Sequence, residues 1–76
     1  MTVEVFKTNV RARSHANMLV AQIRRLFEGY EANFDLEDCD CILRVQSYKG
    51  TISPEPLIRL LKDFGFEAEI LPDCAI

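Results

Sequence analysis

The sequence predicts an α+β sandwich in which a four-stranded antiparallel sheet carries two helices on one face. Three observations carry that reading. Two stretches space their apolar residues at helical period, others alternate at strand period, and the order over 76 residues is strand, helix, strand, strand, helix, strand. A chain of this length makes one domain and buries only about 60% of its unfolded surface, so its core has to be efficiently packed.

Residues 2–9, rich in Val, Phe and Thr, read as the first strand. From Ser14, taken as an N-cap, apolar residues recur at Ala16, Leu19, Val20, Ile23 and Phe27, one stripe on a helix that Gly29 stops. Tyr30, Ala32, Phe34 and Leu36 then alternate with Glu31, Asn33 and Asp35, which is the pattern of a strand with one buried and one wet face. The polar run 37–40 reads as a hairpin turn. Cys41, Leu43 and Val45 follow as a second buried row, leaving Ile42 and Arg44 on the wet face.

The second helix has the stronger start signal. Ser53 is its N-cap, Pro54 its first residue, and Ile52 is placed to staple against Leu57. Leu57, Leu60, Leu61 and Phe64 form its stripe, and Gly65 ends it. Phe66, Ala68 and Ile70 alternate as a last strand before Pro72. The domain is thus expected over 1–71, with 72–76 as a short tail containing Cys74. This element order is that of the ferredoxin-like split βαβ.

Composition narrows the function classes. A formal net charge of −3 argues against a general nucleic-acid binder. No apolar run approaches the ~18 residues that span a membrane, so no membrane partner is expected. The first residues carry no basic leader followed by an apolar stretch, which points to the cytoplasm. Three cysteines in a reducing compartment are expected as thiols. With one His and no nucleophile beside an orienting base, no catalytic residues are assigned and no enzyme is expected.

Leu19, Ile23, Gly29, the Asp35-Leu36-Glu37 hairpin entry, the Ser53-Pro54-Glu55-Pro56-Leu57 helix opening and the closing Gly65-Phe66-Glu67-Ala68-Glu69-Ile70 carry a resemblance. Over about residues 2–71 the chain resembles the heavy-metal-associated domains, small copper and zinc chaperone modules. The resemblance implies a soluble metal-handling protein without enzymatic activity. In that family the loop after the first strand holds a Cys-x-x-Cys clamp, whose positions fall here near Arg13 and Ala16. Neither residue ligates a soft ion, so Cu(I) or Zn(II), if bound, is not held by that clamp.

Outside the tail with Cys74, the remaining thiol and imidazole donors are His15, Cys39 and Cys41. The topology brings the first loop, the 37–40 hairpin and the Gly65 turn to one edge, which makes these three the candidate metal ligands. Cys39 and Cys41 share a strand face at their spacing of two. A competing reading starts from charge. Five bases and no acid lie between Lys7 and Arg25, whereas Glu28 to Asp40 holds six acids and no base. Arg11, Arg13 and Ser14 at a helix start then form an anion or partner site. The alternative to metal handling is therefore a non-enzymatic interaction or anion-binding module, with a protein partner of unknown identity. Exposed strand edges leave a homodimer open.

Overall fold

The computed structural model describes residues 2–37 and 39–71. The expected tail at 72–76, with Cys74, lies outside the described residues, as does Asp38. The elements are β1 (Thr2–Thr8), α1 (Arg13–Leu26), β2 (Tyr30–Asp35), β3 (Ile42–Ser47), α2 (Pro54–Asp63) and β4 (Ala68–Ile70). Together they form one antiparallel sheet in the order β2-β3-β1-β4 with two helices, a ferredoxin-like arrangement.

The core lies between sheet and helices. Phe6, Phe34, Leu43 and Val45 from the sheet meet Ala16, Leu19 and Ile23 of α1 and Leu57, Leu60 and Leu61 of α2. Alternation and register then assign the other face of the sheet: Val3, Val5 and Lys7 of β1, Glu31, Asn33 and Asp35 of β2, and Ile42, Arg44 and Gln46 of β3. α1 packs mainly against β2, and α2 against β4.

Several local expectations need correction. The helix after β1 starts at Arg13, one residue before Ser14, and its N-cap is Ala12, so no side chain caps it. Ser53 does occupy the N-cap of α2, but its hydroxyl makes no capping hydrogen bond. Its backbone N–H donates instead to the Tyr30 hydroxyl at 3.1 Å, tying the start of α2 to β2. Ile42 is only 7% exposed despite lying on the outer sheet face. That face is therefore more apolar than a wet surface, with Val3, Val5 and Ile42 among its polar residues. The last strand is shorter than the alternation suggested, beginning at Ala68 because the chain at 64–66 is used to end α2.

That ending is a Schellman motif. The Phe66 N–H donates to the Leu61 carbonyl and the Gly65 N–H to the Lys62 carbonyl, which requires the left-handed backbone that Gly65 supplies at φ +90°. The geometry delivers Phe66 to a fixed position beside the start of α1. At the opposite end, Gly29 (φ +88°) turns the chain from α1 into β2.

Candidate functional site at the loop edge

The β1–α1 loop, the β2–β3 hairpin and the α2–β4 turn do converge on one end of the sandwich, and backbone hydrogen bonds join them there. The Thr8 N–H donates to the Asp40 carbonyl at 3.1 Å, linking β1 to the hairpin. The Asn9 N–H donates to the Glu67 carbonyl at 3.3 Å, linking the loop to the approach to β4. Two side chains reinforce this junction. The buried Thr8 hydroxyl donates to the Cys41 carbonyl at 2.6 Å and accepts from the Val10 N–H at 3.2 Å. The Asn9 side-chain oxygen accepts from the Glu67 N–H at 2.8 Å.

Nothing in the local sequence pattern marks these junction residues. Thr8 looks like one more β-branched strand residue, and Asn9 like an ordinary loop residue. The one available signal was position, a hydroxyl and an amide at the end of a strand where backbone groups need partners.

The candidate metal ligands sit in three different settings around this junction. Cys41 is 5% exposed and lies before β3 with φ +48°, the left-handed region, so it does not continue the strand row and does not share a regular strand face with Cys39. Cys39 is exposed, its thiol 4.0 Å from the Asp40 carboxylate. His15, in the first turn of α1, sets its ring against Phe66, centroids 5.3 Å apart and planes tilted by 55°. Among the described residues, no group of three or more His, Cys, Asp or Glu side chains is placed to hold a metal ion. A tetrahedral zinc site needs three or four converging donors, and His15, Cys39 and Cys41 do not form such a group among the described residues.

Arg11, Arg13 and Ser14 are neighbours in sequence at the β1–α1 loop and the first turn of α1. All three are exposed, on the loop and first turn of α1. That turn contains no acidic residue, and its early N–H groups lack a side-chain cap. Among the described residues neither arginine makes an ion pair, whereas Lys7 pairs with Asp40 at 3.9 Å. Two exposed arginines thus accompany the positive end of the helix, a setting that favours an anion. A cleft of about 280 Å³ lined by Thr8, Asn9, Glu67 and Glu69 adjoins the junction on its β4 side.

No helix of the described residues is long and apolar enough to cross a membrane. Compared with known proteins, the chain matches no protein-family model and no curated protein sequence.

Proposed function

We propose that this chain is a small non-enzymatic binding module, akin in plan to the heavy-metal-associated domains, that engages an anionic partner through Arg11, Arg13 and the start of α1. The observation that carries the proposal is the uncapped first turn of α1, free of acidic residues and flanked by two exposed arginines without ion pairs among the described residues. The likeness to the metal chaperones then concerns architecture, and the loop that clamps an ion in that family serves a different ligand here. The cytoplasm is the compartment that goes with this proposal, in keeping with the free thiols of Cys39 and Cys41.

One pair of titrations tests it. Reduced protein is examined by native mass spectrometry with Cu(I) and with Zn(II), and by amide NMR with hexaglutamate. The proposal expects hexaglutamate to shift the amides of 11–15, an effect lost in Arg11→Ala/Arg13→Ala, with no ion retained stoichiometrically at micromolar metal. A retained ion that disappears on Cys39→Ser or His15→Ala would return the chain to metal handling.

A further inference from the structure

We propose a second binding surface, distinct from the loop edge: the free edge of β2 takes up an extended basic peptide as a fifth, antiparallel strand. β2 is the outer strand of the sheet, bonded to β3 on one side. Its phase can be read from the pairing. The Tyr48 N–H donates to the Gly29 carbonyl, so Gly29 opposite Tyr48 is a hydrogen-bonded pair, and Glu31, Asn33 and Asp35 follow it at intervals of two. The N–H and carbonyl of Ala32 and of Phe34 therefore point away from the sheet. Among the described residues these groups have no hydrogen-bond partner.

Natural sheets blunt such edges with lysine, proline or a bulge. β2, reading Tyr-Glu-Ala-Asn-Phe-Asp, has neither residue type, and its six register pairs run without interruption. The other outer strand, β4, offers just three residues. Glu31 of β2 pairs with Arg24 of α1, Nε to Oε1 3.7 Å with both side chains exposed. An exposed pair of this kind is easily exchanged for another cation.

Charge selects the occupant. The outer-face row of β2 is Glu31, Asn33 and Asp35, all exposed, with no base on the strand. Directly opposed side chains on an added strand share that face, so lysine or arginine at alternate positions meets Glu31 and Asp35, while small residues sit beside Ala32 and Phe34. A second copy is a poorer match, because it sets this acidic row against an identical acidic row.

The probe is acetyl-(Lys-Thr)₃-amide titrated into ¹⁵N-labelled protein, with acetyl-(Glu-Thr)₃-amide as control. The basic peptide should shift the Ala32 and Phe34 amides and slow their hydrogen exchange by about tenfold or more at saturation, and the acidic peptide should do neither. Ala32→Pro, which removes an outward N–H at a position where edge strands accept proline, should abolish the effect. Glu31→Lys/Asp35→Lys, which leaves the backbone untouched, should transfer binding to the acidic peptide. Equal response to both peptides, shifts confined to residues 11–15, or Ala32 and Phe34 shifts that appear on concentrating the protein alone would each overturn the proposal, the last in favour of self-association.

Discussion

The Thr8 hydroxyl and the Cys41 carbonyl meet at 2.6 Å across 33 residues of sequence, where the end of β1 touches the chain entering β3. The contact is buried, and the same oxygen accepts from the Val10 N–H. One side chain thus satisfies two backbone groups that would otherwise be sealed from water.

Replacing Thr8 by Val keeps the shape and removes both bonds. The orphaned carbonyl and N–H should cost about 1–3 kcal/mol. Thr8→Ser retains the hydroxyl and should recover most of that loss. Urea denaturation followed by circular dichroism measures both, and a Val variant as stable as the Ser variant would show that water substitutes for the hydroxyl.

Cys41 is the positive-φ residue other than glycine among those described, at +48°. Its Cβ crowds the neighbouring carbonyl in that conformation, at a cost of roughly 1–2 kcal/mol that glycine does not bear. Cys41→Gly and Cys41→Ala both delete the buried thiol, so their difference isolates the backbone. Cys41→Gly should be the more stable by about 1 kcal/mol, read as a difference in melting temperature. The reverse order would mean that the left-handed turn relaxes in the alanine variant.

How far the sequence could be read follows from which forces are local. Helical and strand periods reveal the stripes of Leu19 and Ile23 or Leu57 and Leu61 because burial imposes them, and their order is enough for the topology. Glycine stops at Gly29 and Gly65 are legible for the same reason, since few other residues take a positive φ. Capping is not legible in the same way, because it depends on a rotamer. Ser14 is one residue inside the helix that it was expected to begin, and Ser53 leaves its hydroxyl out of the cap. The candidate site divides likewise. That the loops share an edge follows from topology and the burial of Cys41 from the alternation, whereas the left-handed backbone at Cys41 and the turning of His15 toward Phe66 go with contacts between segments about 33 and 51 residues apart, which no local pattern encodes.

The two described cysteines should differ in chemistry as they do in position. Cys39 is exposed and Cys41 buried, so in a Cys74→Ser background iodoacetamide should add to one thiol of the native protein and to a second only in urea. Intact-mass spectrometry counts the adducts, and peptide mapping should put the first on Cys39. Two adducts forming together without denaturant would mean that the turn before β3 opens readily, and would reopen the question of a shared ligand.

Asn9 and Glu67 clasp each other through two bonds, N–H to carbonyl at 3.3 Å and side-chain oxygen to N–H at 2.8 Å, continuing the β1–β4 pairing one step beyond Thr8 and Ala68. β4 contributes just three residues to the ladder, so this step is a large share of what holds it. Asn9→Ala removes the side-chain bond and leaves the backbone one. Both residues are exposed, which lets water take over the Glu67 N–H and limits the cost to about 1 kcal/mol. With a urea m-value near 1 kcal/mol per molar for a domain of this size, the unfolding midpoint should fall by about 1 M. Hydrogen exchange should accelerate at Glu67 and along β4 while the amides of the β1–β3 ladder keep their protection relative to global unfolding. Uniform acceleration across both ladders would instead make Asn9 part of the global fold, and β4 no more separable than the central strands.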